Sequence, residues 1–411
     1  MNKNIVYLWL ADSTSIFGSA IYALALTLLS LEFTNSVLGA GAVLFTSVIP
    51  YFFLGIIGGV VSDRVDRKKL MLVCDVLRGV LTLSIPIAYV YDILTVQQLV
   101  ITSVLITCLR AFFFPANQAS VPILVDNKED LNKVNSYIGS TQNLSIMLGP
   151  SLGGILLLFD LNVSQLLYID ALSYFISAFF ILLIKFPKVE ATQKETKPSI
   201  LKDALQGLKF MSVENKGISI MMMAFAAQLL VGAGVTQLGI PKILESFNMH
   251  GEKMFGFVLS TIAFSGFISS LWLAKRKVNK PVVWIFTGYG IRGLAFLLLG
   301  LSKGMIGIVI ASIIIGFANT ISGTILTTVL QLKSPNNMLG KIMAVRSSIG
   351  NVADAFAYII IGGVLSIASI PVTFTVIMIY VLLTTGLFSY MWFKNMNKEK
   401  HQKYSVDTMS S

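Results

Sequence analysis

Residues 58–69 read Gly58-Gly59-Val60-Val61-Ser62-Asp63-Arg64-Val65-Asp66-Arg67-Lys68-Lys69, a dense charge run between two long apolar stretches. Residues 37–61 and 70–91 on either side are each long enough to cross a bilayer, which takes about 20 apolar residues per helix. The charged run therefore reads as a tight turn between two membrane-spanning helices.

Composition extends this reading to the whole chain. Of 411 residues, 55% are hydrophobic and 12% charged, with a mean hydropathy of +0.79. Soluble domains carry roughly 25% charged residues, so this chain has too few charges to cover a water-soluble surface. It reads as an all-α polytopic membrane protein. Cys74 and Cys108 both lie in apolar segments, so neither a disulfide framework nor a metal set is expected. The start Met1-Asn2-Lys3-Asn4 runs into an apolar stretch containing Asp12, which reads as an uncleaved first helix rather than a signal peptide.

The apolar runs place spans at 5–29, 37–61, 70–91, 96–118, 137–159, 166–186, 217–240, 255–274, 282–301, 305–330, 341–366 and 371–393. With Met1 in the cytoplasm, Arg64, Arg67, Lys68, Lys69, Lys128, Lys133, Lys275, Arg276, Lys277, Lys333, Lys341 and Arg346 fall on that side. The opposite side then holds only Lys242, Lys253 and Lys303. This positive-inside asymmetry predicts cytoplasmic termini and accounts for the net charge of +11 without nucleic acid. Four regions follow: a six-helix half over 1–186, a cytoplasmic linker over 187–216, a second half over 217–393, and a cytoplasmic tail over 394–411. In the linker, Ile200, Leu201, Leu205, Leu208 and Met211 fall at helical spacing, as in an interfacial amphipathic helix or a plain tether. Arg78-Gly79-Val80-Leu81 in the third span and Arg292-Gly293-Leu294-Ala295 in the ninth mark an internal duplication. So do Gly153-Gly154-Ile155-Leu156 and Gly362-Gly363-Val364-Leu365.

The spacing Gly59-x-x-x-Asp63-Arg64-x-x-Arg67-Lys68 resembles the loop between helices 2 and 3 of major facilitator superfamily transporters. Asp66, standing where most members have a second Gly, is similar to the macrolide-efflux and siderophore-exporter branch. The resemblance implies the major facilitator fold, with about twelve helices in two pseudo-symmetric halves. It also implies that Gly59, Asp63, Arg64, Arg67 and Lys68 lock a cytoplasmic gate, Asp63 facing the start of helix 11 near Ser334-Pro335-Asn336-Asn337. In the fifth span, Ser145-Ile146-Met147-Leu148-Gly149-Pro150-Ser151-Leu152-Gly153-Gly154 resembles the Gly-Pro-x-x-Gly-Gly motif of the superfamily's antiporters, with Ser145 for the leading Gly. The same Gly149, Pro150, Gly153 and Gly154 also suit a kinked helix-packing seam. Arg110 aligns with the helix-4 arginine that the family links to proton transfer, although Ala111-Phe112-Phe113-Phe114-Pro115 replaces the Gly-rich continuation.

Ionisable residues inside a bilayer are costly and mark function by default. Asp12 and Arg110 each lie about seven or eight residues into their spans, roughly 10–12 Å deep, within reach of one another. Asp12, Arg110 and Asp354 are the proton-coupling candidates; Asp354 suits a structural pair with Arg292 or Arg346 equally well. Asp170 reads as interfacial or structural, and Asp75 with Arg78 as a brace for the charged loop. A cavity lined by apolar groups with a few polar ones draws its candidates from Phe17, Tyr22, Phe112, Asn117, Gln118, Gln142, Asn143, Phe225, Gln228 and Asn319.

The chain is thus expected to be a bacterial-type cytoplasmic-membrane exporter working by alternating access, exchanging protons for an amphiphilic or hydrophobic small molecule. The alternative is a dedicated exporter of an endogenous metabolite such as a siderophore, or a lipid transporter. The expected partners are the substrate, protons and the bilayer, with a functional monomer and no nucleic acid. No cofactor, metal or enzymatic activity is expected: there is no Walker-type phosphate loop, and His250 and His401 lie in a loop and the tail.

Overall fold

The computed structural model describes residues 2–125, 131–159, 161–186, 215–247, 251–276, 278–334 and 336–409. Every regular element among them is helical. The first half contains α1 (Lys3–Thr34), α2 (Val37–Thr46), α3 (Ile49–Arg64), α4 (Arg67–Val90), α5 (Val96–Leu124), α6 (Leu131–Leu158) and α7 (Val163–Leu183). The second contains α8 (Lys216–Gly234), a π turn (Val235–Gly239), α9 (Ile240–Ser246), α10 (Gly251–Ala274), α11 (Pro281–Leu301), α12 (Met305–Lys333), α13 (Asn336–Ile367) and α14 (Ile370–Met409). Most of the linker, including its amphipathic stretch, lies outside the described residues, as do Lys128, Lys277 and Pro335.

Helix starts follow from local chemistry. Asn2, Ser36, Asp66, Thr95 and Asn215 each accept a bond from the backbone N–H three residues on, which satisfies a donor the helix leaves orphaned. Eleven helices among the described residues are long and apolar enough to span a membrane. α6, with 28 residues, adds a further helix of about 42 Å. Large apolar side chains such as Phe53, Ile306 and Leu383 remain exposed on the helices, as lipid contact requires.

Two spans depart from the uninterrupted helices that hydropathy predicts. The second span breaks at Ser47 and Val48, between α2 and α3. Pro50 has no N–H to give the Thr46 carbonyl four residues back, and next to it the Thr107 hydroxyl donates to the Ser47 carbonyl at 2.5 Å. The seventh span widens into the π turn immediately before Pro241, where the same missing donor disturbs the ladder. There the Thr27 hydroxyl bonds the Gln237 side chain at 3.1 Å.

The helices form two compact units. The first comprises Met1–Lys197, Thr236–Ser260 and Ile361–Ser366; the second comprises Pro198–Val235, Thr261–Ile360 and Ile367–Ser411. In the first, α1 packs on α7 and α6, and α4 on α7 and α5. Its core gathers Ile5, Leu8, Met71, Phe113 and Ile181. In the second, α11 packs on α12 and α14, and α14 on α8, around Met221, Phe286, Tyr289, Leu326 and Trp392. Gly18 lets α1 approach α7 closely: a Cβ there would overlap Ser173 and the Asp170 carboxylate. That contact sets the first polar cluster.

Candidate functional site

The charged loop is short because its residues serve both helices. α3 ends at Arg64, Val65 is extended, and Asp66 caps α4 by accepting from the Lys69 N–H at 2.9 Å. Asp66 has φ −61°, so the residue in the family's glycine position is a helix cap and needs no left-handed backbone. Arg67 donates to the Ser62 and Ala119 carbonyls at 3.3 and 3.0 Å, tying the loop to α5. Lys68 donates to the Leu182 and Ile184 carbonyls at 2.8 and 2.7 Å, closing the end of α7 as a cation at a helix C-terminus should. Arg64 is exposed. The side-chain surroundings of Gly59 and Asp63 lie outside what is described.

In the first unit, polar stripes on three helices face one another. On α7, Asp170, Ser173, Tyr174 and Ser177 share one face by their spacing, and all four are buried. On α4, Asp75 and Arg78 form an ion pair at 3.2 Å, with Asp75 fully buried. Arg78 also donates to the Tyr174 hydroxyl at 2.8 Å, and its guanidinium lies 4.0 Å from that ring's centroid. The Ser177 hydroxyl donates to Asp75 at 2.6 Å, and α1 joins through Ser19, whose hydroxyl lies 2.9 Å from the Tyr174 hydroxyl. Asp75 and Arg78 therefore bind α4 to α7. Asp170 is fully buried, and its second carboxyl oxygen has no hydrogen-bond partner among the described residues.

Asp12 is buried on α1 and accepts a 2.7 Å hydrogen bond from the Asn117 amide of α5. The expected proximity of Asp12 to Arg110 does not become a bond. Arg110 is exposed and its guanidinium sits 5.8 Å from the centroid of Tyr51. Asp12 is turned into the first unit, where Asn117 is one of its partners, whereas Arg110 faces outward.

In the second unit, Arg292 begins the same Arg-Gly pair as Arg78 but is hydrogen-bonded to neutral groups. It is 4% exposed and donates to the Gln228 side chain at 2.8 Å, the Gln228 carbonyl at 3.2 Å and the Asn319 side chain at 3.1 Å. The Gln228 amide in turn donates to the hydroxyls of Thr384 and Thr385 at 3.1 and 3.3 Å. Asp354, half-buried on α13, lies within electrostatic reach of Arg292. Arg346, eight residues earlier on the same helix, stacks its guanidinium 4.8 Å from the centroid of Phe225. Tyr289 interacts electrostatically with both arginines, and its buried hydroxyl has no hydrogen-bond partner among the described residues.

A family model described as Major Facilitator Superfamily matches residues 8–358. The chain belongs to the Major Facilitator Superfamily. Its relatives include Macrolide efflux protein A of Streptococcus pyogenes, 23% identical over 84% of this chain and 85% of that protein. Another is the putative bacilysin exporter BacE of Bacillus subtilis, 26% identical over 85% of this chain and 86% of its own. The multidrug efflux pump Tap of Mycolicibacterium fortuitum is 22% identical over 91% and 92%. Among solved structures, the nucleoside transporter NupG superposes with a TM-score of 0.71 at 15% identity, covering 95% of this chain and 99% of its own. The POT family transporter PepTSo gives 0.69 at 13% identity over 97% and 99%. The fold is thus the all-α major facilitator fold.

Within that fold the Gly-Pro-x-x-Gly-Gly segment of α6 is a packing seam. A Cβ on Gly149 would overlap Ala20, and one on Gly153 would meet Leu24, both on α1. Gly154 faces Gly256 of α10 backbone to backbone. The side-chain surroundings of Pro150, Gln142 and Asn143 are outside what is described. Of the other cavity candidates, Asn117, Gln228 and Asn319 are bonded to the buried charges. Tyr22 is buried with its hydroxyl unpartnered, Phe17, Phe112 and Phe225 are half-buried, and Gln118 is exposed. Sequence reading passed over Tyr174, Ser177 and Tyr289. The i, i+4, i+7 spacing of Asp170, Tyr174 and Ser177 is the signal that points to the first two.

Proposed function

We propose that this major facilitator transporter exports amphiphilic or hydrophobic small molecules in exchange for protons, by alternating access of two six-helix halves. The observation that carries the reading is the carboxyl group of Asp12, buried in an apolar span on the Asn117 amide. A carboxylate there is expensive to keep charged and gains a use if it loads and releases a proton. Arg110 and Asp354 are the further coupling candidates. The loop formed by Gly59, Asp63, Arg64, Arg67 and Lys68 is the proposed cytoplasmic gate, its Arg67 and Lys68 already anchored on backbone carbonyls of α5 and the end of α7. The relatives named as macrolide and multidrug efflux proteins support export over uptake. The excess of Lys and Arg on one set of loops supports cytoplasmic termini in a bacterial cell membrane.

Accumulation of macrolides and lipophilic dyes in a bacterial host lacking its own efflux pumps tests this reading. Expression of the chain should lower accumulation, and a protonophore should restore it. Unchanged accumulation across the panel, with the protein inserted in the membrane, would replace it with export of one endogenous metabolite.

A further inference from the structure

We infer that the second unit contains a binding site for a carboxylate on the transported molecule, formed by Arg346, Tyr289 and Arg292 beside the ring of Phe225. This rests on the export reading and names a chemical class for its substrate.

The first observation is a charge imbalance. Two guanidinium groups, Arg292 and Arg346, lie among membrane-spanning helices with one carboxylate, Asp354, in electrostatic reach of Arg292. Arg346 forms no ion pair among the described residues; its recorded contact is the Phe225 ring. Intramembrane arginines otherwise pair with acids or backbone carbonyls, so a cation resting on an aromatic face alone leaves strong donors unused.

The second observation is that three donors without partners belong to neighbouring groups: the Arg292 guanidinium lies 5.5 Å from the Tyr289 ring centroid, and the α8 residues that hold the two arginines, Gln228 and Phe225, are one helical turn apart. The Nε atoms of Arg292 and Arg346 and the Tyr289 hydroxyl are all buried and lack hydrogen-bond partners among the described residues. Tyr289 precedes Arg292 by one helical turn on α11, and both arginines act on it electrostatically. Buried donors left unmade cost free energy, more so when charged. A carboxylate accepts two or more such bonds at once, and arginine's fork matches its geometry.

The third is access with apolar surroundings. Asn319, which accepts from Arg292, is exposed, and Phe225 and Arg346 are half-buried. The site is therefore open on one side, with an aromatic face to receive the apolar body of an amphiphile.

The test uses the full chain in nanodiscs, titrated with dansyl-phenylalanine and with its neutral carboxamide while dansyl fluorescence is followed. The acid should bind about tenfold or more tightly than the amide, as expected for charge-assisted hydrogen bonds. Arg346→Gln should bring the acid down to the amide's affinity, and Arg346→Lys should keep part of the difference. Tyr289→Phe, which removes one donor and no charge, gives an independent, smaller loss if Arg346→Gln fails to insert. Equal binding of acid and amide to the natural chain, binding of neither, or an acid preference surviving Arg346→Gln would overturn the site. Nanodiscs of phosphatidylcholine alone and with added phosphatidylglycerol separate two sources of anion. A preference that survives the anionic lipid supports a soluble carboxylate; one that the lipid abolishes assigns the site to headgroups and overturns the proposal. Macrolide efflux from the same preparation, reconstituted in liposomes, reports separately on the export reading: efflux without acid preference removes the carboxylate site alone.

Discussion

Among the described residues, the first unit buries Asp12, Asp75 and Asp170 with one buried arginine, Arg78, whereas in the second Arg292 and Arg346 lie near one carboxylate, Asp354. Arg78 and Arg292 start the same Arg-Gly repeat, yet their environments were resolved in opposite ways. Arg78 is neutralised inside its unit by an ion pair and a tyrosine. Arg292 is oriented by amide and carbonyl oxygens that carry no charge. The duplicated sequence thus supplied one cation to each unit, and the neighbours decided what it does. Surplus acid suits the handling of protons; surplus base suits the handling of an anionic group.

The largest expected effect follows from Asp12. Asp12→Asn should abolish proton-driven transport in proteoliposomes while ligand binding, read by fluorescence titration, persists; undiminished transport would exclude Asp12 as the coupling group. Asp354→Asn, by the same assay, should reduce transport without abolishing it.

Stability separates the two arginines. Arg78→Met leaves Asp75 as an uncompensated buried charge, a loss of about 3–5 kcal/mol, visible as a large drop in thermal unfolding temperature. Adding Asp75→Leu to that variant should recover much of the loss. Arg292→Met strips hydrogen bonds from neutral acceptors and should cost less, about 1–3 kcal/mol. Equal losses at the two positions would erase the distinction drawn between the units.

The smallest effect belongs to the charged loop. Asp66→Ala removes the cap of α4 and should cost about 1 kcal/mol, whereas Asp66→Asn, which still accepts the Lys69 N–H, should be close to neutral by the same measurement.

Much of this was legible in the sequence, and the reason is depth. Hydropathy and charge fix how far along a span a residue lies, so the helices and the charged turn follow from the order of residues. The paired Arg-Gly segments follow in the same way. Azimuth is a tertiary property. Asp12 and Arg110 agree in depth, but α5 turns Asn117 inward and Arg110 outward. Asp170 lies near a span end and reads as interfacial or structural, and the close approach at Gly18 is what sets it against α1. Arg78 finds Tyr174 across 96 positions of sequence, a contact that no local pattern announces. The break at Ser47 depends likewise on Pro50 and on a hydroxyl supplied by α5.

The most direct measurement of proton-coupled export uses inside-out vesicles containing this protein, acidified inside and loaded with a pH-sensitive dye. Macrolides, lipophilic dyes and siderophores are added in turn while the internal pH is followed. The account predicts that a transported compound triggers proton efflux with the natural chain and none with Asp12→Asn. Proton efflux from the Asp12→Asn vesicles equal to that of the natural chain, or no efflux with any compound from correctly inserted protein, would contradict it.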